Sequence, residues 1–138
     1  MDWIWFAILA ALCWGAAPSF EKVGISKMSP LVAVTVRSVT ISIILVIAVI
    51  FTGEISKIPK IDSKSLAYIA IGGILAGLLG QMLYFFALKS GESSRVVPVA
   101  GTYPLVAAIL AIVLLGETIT AQKILGIVLI IGGIILVK

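Results

Sequence analysis

Gln81 and Tyr84 are the side chains of this sequence best suited to hold a polar solute. They stand three residues apart, one above the other on a helix face that also takes in Gly77 and Leu88. The amide donates and accepts, and the tyrosine adds a hydroxyl and an aromatic wall, a set that fits a polar or zwitterionic solute. The competing reading is that Gln81 bonds another helix. Arg37 is the one full charge well inside an apolar run. It is read first as a structural anchor snorkelling to the headgroups, with a gating salt bridge or an anionic-substrate contact as the alternative. Thr102 and Tyr103 lie between Pro98 and Pro104. A proline frees a backbone carbonyl, which is tolerated in lipid only against protein or a cavity. This stretch therefore reads as a wall or gate, or else as a simple kink. Pro18, one turn after Trp14, bends or opens its own run in the same way. Trp14 sits deep, whereas Trp3 and Trp5 belong to the interfacial belt. Glu21 and Glu117 fall at helix ends and are read as solvated.

Other chemistry is missing. There is no histidine and a single cysteine, Cys13. Ser/His/Asp and Cys/His catalysis are excluded, a zinc or iron–sulfur site is not expected, and no acid pair or nucleophile–base pair suggests an enzyme. No cofactor is implied. The middle of the first run reads Ala10-Ala11-Leu12-Cys13-Trp14, and no Asp or Glu lies mid-run anywhere. Proton antiport through a buried carboxylate is disfavoured, unless the first helix sits deep enough for Glu21 to serve. Facilitated, gradient-driven passage is the expectation.

The elements that must position these residues follow from composition. Hydrophobic residues make up 62% of the 138 and charged residues 12%, with a mean hydropathy of +1.28. A small globule cannot hide that much apolar side chain from water, so the bilayer is the solvent. The net charge of +4 does not point to nucleic acid. Its densest cluster, Lys57, Lys60 and Lys64, is one short connection suited to lipid headgroups. Charges divide the chain into five apolar runs, near 3–20, 31–53, 65–88, 95–116 and 119–137, each read as a transmembrane helix. The last reaches adequate length by starting near Ile119. The first is read as a retained helix, because Met1-Asp2 lacks the positive segment of a signal peptide. Ser93 or Ser94 is expected to cap the fourth helix. The connections leave no room for a soluble domain. The fold class is all-α, one polytopic domain over residues 1–138.

Helices in lipid associate by close approach of small residues. Gly73 and Gly77 have that spacing in the third run, and Gly126 and Gly133 share a face of the fifth. Packing within the chain and a dimer seam are both open. For orientation, Lys57, Lys60, Lys64 and Lys123 fall on one side of the membrane. Lys22, Lys27, Lys89, Arg95 and Lys138, with Arg37 if it snorkels outward, fall on the other. So even a balance gives the positive-inside rule little to act on, and it is compatible with insertion both ways.

Several motifs in order now carry a resemblance: Trp14-Gly15-x-x-Pro18, Arg37 early in the second run, and Ala87-Leu88-x-x-Gly91. Pro104-Leu105-Val106-Ala107-Ala108 leads to Leu115-Gly116-Glu117, followed by Gly126 and Gly132-Gly133. Together they resemble an EamA domain of the drug/metabolite transporter superfamily, over essentially the whole chain. The resemblance implies a solute carrier whose usual form has ten spans in two inverted five-helix repeats, with the path between them near the midplane. It places Trp14 near that central cavity. It implies small metabolites such as amino acids as substrates, exported across a prokaryotic plasma membrane. This chain departs by supplying one repeat. The simplest expectation is a homodimer, antiparallel by preference and parallel as the rival. A multidrug or lipid-carrier translocase, and a non-transporting subunit of a heteromeric assembly, are the other functions to weigh.

Overall fold

A computed structural model of the chain describes residues 2–118 and 120–137. Every regular element among them is helical. Helix α1 is Trp3–Ile25, α2 Pro30–Phe51, α3 Ser63–Ser90, α4 Ser93–Leu115 and α5 Ala121–Val137. Four of these, α1 to α4, are long and apolar enough to cross a membrane. With 17 residues, α5 is about 26 Å long, short of a hydrocarbon core of about 30 Å. Its expected start at Ile119, and Lys138 of the charge count, lie outside the described residues.

Local chemistry sets the ends. Ser29 caps α2, its hydroxyl accepting from the Val32 N–H at 3.3 Å, and Pro30 takes the first position, where its missing N–H costs nothing. Gly53 ends α2 at φ 74° and Gly116 ends α4 at φ 65°, left-handed turns that suit glycine. Inside α2 the Thr35 and Thr40 hydroxyls donate to the Leu31 and Val36 carbonyls, so these polar groups need no partner from lipid. A 3-10 turn, Glu54–Lys60, fills the connection after α2. Asp62 then caps α3, accepting from the Ser65 N–H at 2.9 Å.

Three expectations are corrected here. The first helix runs past Phe20 to Ile25 and carries Glu21 and Lys22 inside it, because a charge does not end a helix when partners wait on its neighbours. Neither Ser93 nor Ser94 caps α4: Glu92 holds the cap position and both serines lie within the helix. The third helix is not uniform. Its middle, Gly73–Gly80, is wound as a π-helix between α-helical Ser63–Gly72 and Gln81–Ser90. Within it a Cβ added at Gly80 would lie 2.9 Å from the Leu75 carbonyl oxygen, so only glycine fits that turn.

The contacts group the chain into two units, Phe20–Lys89 and Met1–Ser19 with Ser90–Lys138. In the first, the buried side chains gather at one end. Ile25 of α1, Ala33 and Val34 of α2, and Phe85 of α3 form a small core flanked by Met28, Met82 and Tyr84, with Leu88 fully buried. In the second, α4 is broken between Ala100 and Tyr103, and its first piece packs against α5.

Candidate functional site

The site is built at the packed end of the Phe20–Lys89 unit, where α1 finishes, α2 begins and α3 finishes. Consecutive antiparallel helices bring these three ends to the same side. Glu21 lies about one turn inside α1, Arg37 two turns inside α2 and Gln81 between two and three turns inside α3. Despite these different depths their side chains meet. The Arg37 Nε stands 3.5 Å from Glu21 Oε1, and the Gln81 amide donates to the same oxygen at 3.3 Å. The Glu21 side chain is 17% exposed, against 40% for Arg37. The carboxylate is thus the hub, and the guanidinium reaches in from a more open position.

Tyr84 completes this set. Its ring stacks at a tilt on Phe85, with centroids 6.2 Å apart, and it is close enough to Glu21 to feel that charge. Its hydroxyl oxygen is buried and has no hydrogen-bond partner among the described residues. A buried donor left unmade costs about 1–3 kcal/mol, so an open bonding position beside a carboxylate is a place for a ligand atom. Two lysines tie the end together outside this cluster: Lys22 Nζ donates to the Leu88 carbonyl and Lys89 Nζ to that of Met28, at 2.7 Å. Such bonds hold down the last carbonyls of α3 and the α1–α2 turn. An open groove of about 260 Å³ runs beside the cluster, lined by Glu21, Gly24, Met28, Val36, Arg37 and Phe85.

The sequence pair Gln81 and Tyr84 is therefore brought together with Arg37. What sequence reasoning missed is Glu21, taken as solvated. The signal was present. An acid near the end of one run and an arginine near the start of the next, joined by a short turn, must arrive at the same end of the unit. Lys22 and Lys89 sat in view as flanking charges without a partner to name.

Apart from Gly73 and Gly77, the other sequence-derived residues belong to the other unit. Trp14 is 66% exposed and Pro18 is buried within an unbroken α1. Thr102 donates its hydroxyl to the Val99 carbonyl at 2.9 Å, which occupies it locally. Tyr103 is exposed. Pro98 and Pro104 flank the break in α4, and a Cβ at Gly101 would crowd the Pro98 carbonyl at 3.1 Å. This unit holds the larger groove, about 380 Å³, with apolar walls from Pro104, Ala108, Ala111 and Gly126. Its charge is confined to one end, where Lys123 pairs with Glu117 at 3.8 Å. The smaller groove borders the Glu21, Arg37 and Gln81 cluster, and that cluster's chemistry rather than a groove's volume marks the site. The glycines of the two expected seams are open. A Cβ added at Gly73, Gly77, Gly126 or Gly133 meets nothing within 4 Å.

Four helices long and apolar enough to cross a membrane, with a shorter apolar fifth, describe a multi-pass membrane protein. Across residues 1–138 the sequence matches the model of the EamA-like transporter family. The chain belongs to that family. Among its relatives, an "Uncharacterized transporter in cobO 3'region" from Sinorhizobium sp is 29% identical over 98% of this chain and 95% of its own length. "Uncharacterized protein MJ1333.1" from Methanocaldococcus jannaschii is 34% identical over 95% of this chain and 92% of its own. "Uncharacterized transporter YyaM" from Bacillus subtilis is 29% identical over 89% of this chain but only 40% of that protein. No solved structure gives a significant match. Its relatives thus include chains of this length and a longer one, in bacteria and an archaeon.

Proposed function

We propose that this EamA-like chain is an exporter of small metabolites, amino acids or similar dipolar solutes, working by alternating access as a homodimer in a prokaryotic plasma membrane. The observation that carries this reading is the cluster of Glu21, Arg37, Gln81 and Tyr84. It gathers opposite charges, an amide and an unpaired hydroxyl beside a groove at one packed end of a membrane bundle. A carboxylate and a guanidinium together match the ammonium and carboxylate of a zwitterion. Family membership supplies the transport class.

One packed end is one gate, and alternating access needs two. A second copy inserted the other way round supplies the other gate, and the near-even charge balance permits that insertion. In this arrangement α5 serves as a fifth, thinner span, and its Gly126 and Gly133, open within the chain, meet the partner copy. Trp14, Thr102 and Tyr103 then line the path, and Pro98 and Pro104 hinge it. The whole chain acts as one domain. The cluster's paired charges favour a dipolar metabolite over the lipophilic cations of a multidrug carrier.

The test is flux through the purified protein alone. Liposomes loaded with a labelled mixture of neutral α-amino acids should release them through the wild type. Tyr84→Phe should slow release by about tenfold while leaving the fold intact, since the hydroxyl bonds nothing in the chain and about 1.4 kcal/mol of a lost solute bond is one decade. No release, restored only on adding a second membrane protein, would make the chain a subunit rather than a carrier.

A further inference from the structure

Within the cluster of this gate, the two charges that face one another, Glu21 and Arg37, sum to zero without a solute. Glu21 on α1 and Arg37 on α2 face one another at 3.5 Å, and α3 contributes only the neutral Gln81 amide and Tyr84 phenol. Of the lysines at this end, Lys22 and Lys89 donate to backbone carbonyls and Lys27 is exposed in the α1–α2 turn. A closed gate is a dry one, and an unmatched charge shut inside it costs far more than a matched pair. A carrier with a lone carboxylate can close only after a proton, a metal ion or a charged solute neutralises it. That requirement is what couples flux to an ion. Here the neutralising charge is built into the neighbouring helix.

Resting on the solute-carrier reading above, we infer that the Glu21–Arg37 pair lets the gate close both empty and around a net-neutral solute. The protein is then a uniporter, driven by the solute's own gradient. Arg37 is the residue that keeps protons out of its cycle.

The experiment uses full-length protein in liposomes with the labelled neutral amino acid mixture, and the same protein in detergent for infrared spectroscopy. Wild-type flux should stay within about twofold between roughly pH 6 and 8 and should not accumulate the label when a pH gradient or a membrane potential is imposed. Arg37→Gln leaves Glu21 unbalanced. Closure then needs one proton, taken up from water by the Glu21 carboxylate on closing and returned on opening. Flux should fall towards tenfold per pH unit at the alkaline end, because one pH unit is a factor of ten in proton activity. Glu21→Gln combined with Arg37→Gln removes both charges and should flatten the profile. The exchanged pair, Glu21→Arg with Arg37→Glu, should show no protonated carboxyl band at neutral pH and a pH-independent profile at whatever rate remains, and it stays informative where Arg37→Gln alone does not fold.

The infrared arm needs no solute. At neutral pH, Arg37→Gln should show a protonated carboxyl band that the wild type and the double variant lack. Accumulation of label by the wild type under a pH gradient would overturn the inference. So would an Arg37→Gln protein with a flat flux profile and no new carboxyl band. If the wild type moves none of the amino acids but the band behaves as expected, the solute assignment fails and the charge balance of the gate stands.

Discussion

Replacing Gly80 by alanine should act on both the stability of α3 and the geometry of the gate. The added Cβ would sit 2.9 Å from the Leu75 carbonyl oxygen, and that obstacle is backbone, which cannot swing aside. The π-wound segment Gly73–Gly80 must therefore shift or unwind. Forcing atoms into an occupied space costs about 1–3 kcal/mol. Alanine gives back about 0.5–1 kcal/mol over glycine in a helix interior. The net loss is on the order of 1–2 kcal/mol. Gly77→Ala is the matched control. It lies in the same segment, its Cβ meets nothing within 4 Å, and it should stabilise by the propensity gain alone. The two variants should then differ by about 2 kcal/mol in reversible unfolding from detergent micelles. Because Gln81 and Tyr84 follow Gly80 directly, a change of winding turns them about the α3 axis by up to ~100° per residue of register. That breaks the 3.3 Å bond from Gln81 to Glu21. Flux should fall with stability in Gly80→Ala and not in Gly77→Ala. Equal unfolding free energies, within about 0.5 kcal/mol, would refute the steric argument.

Other consequences follow from the same geometry. Hydrogen bonds from Ser65, side chain first and backbone N–H next, hold the Asp62 carboxyl below the ordinary carboxylate range. A depressed carboxylate contributes stability that is full above its unfolded value of about 3.9 and fades as pH falls through the lower folded value. Amide exchange in the first turn of α3 should accordingly quicken only in that acid window, and Asp62→Ala should show the fast rate at neutral pH. Lys22→Met with Lys89→Met removes the donors to the Leu88 and Met28 carbonyls. The packed end should open, read as faster labelling of a cysteine placed at Phe85 in a Cys13→Ala background. Unchanged labelling would mean that the apolar core alone closes it. Leucine at Gly126 and Gly133 should leave the chain folded, since both positions are open among the described residues, yet weaken the proposed homodimer in detergent. A dimer of unchanged strength would remove α5 as the seam. Single cysteines at Ser63 and Ser90 should each label from outside in about half the molecules if both orientations coexist. Labelling of one site only would leave a parallel dimer or an oppositely oriented partner chain.

The membrane class and the helical state were legible because they depend on composition and on the need of a backbone in lipid to satisfy itself. Neither requires knowing what touches what. The apolar runs, Pro30 at the start of α2 and Gly116 at the end of α4 are local signals, and each run holds a helix, although the first helix runs further and only four are long enough to span. The count of full-length spans stops at four because Thr120 lies outside the helix and α5, from Ala121, has 17 residues. The family was also readable, through ordered motifs such as Trp14-Gly15-x-x-Pro18 and Leu115-Gly116-Glu117 that need no coordinates.

The winding of α3 was not readable. Gly72, Gly73, Gly77 and Gly80 permit close packing and π turns alike, and only the backbone path chooses between them. The role of Glu21 was hidden for a similar reason. By sequence it ends an apolar run, and a terminal acid is ordinarily solvated. Its partners are Arg37 on the next helix and Gln81 sixty residues away. Sequence sets which residues are charged and roughly how deep each helix carries them. Packing alone decides which of those charges face one another, because it fixes the rotation of each helix about its own axis. In Gln81 the amide was seen and its partner was not, and the Glu21–Arg37–Gln81 cluster is made by that rotation.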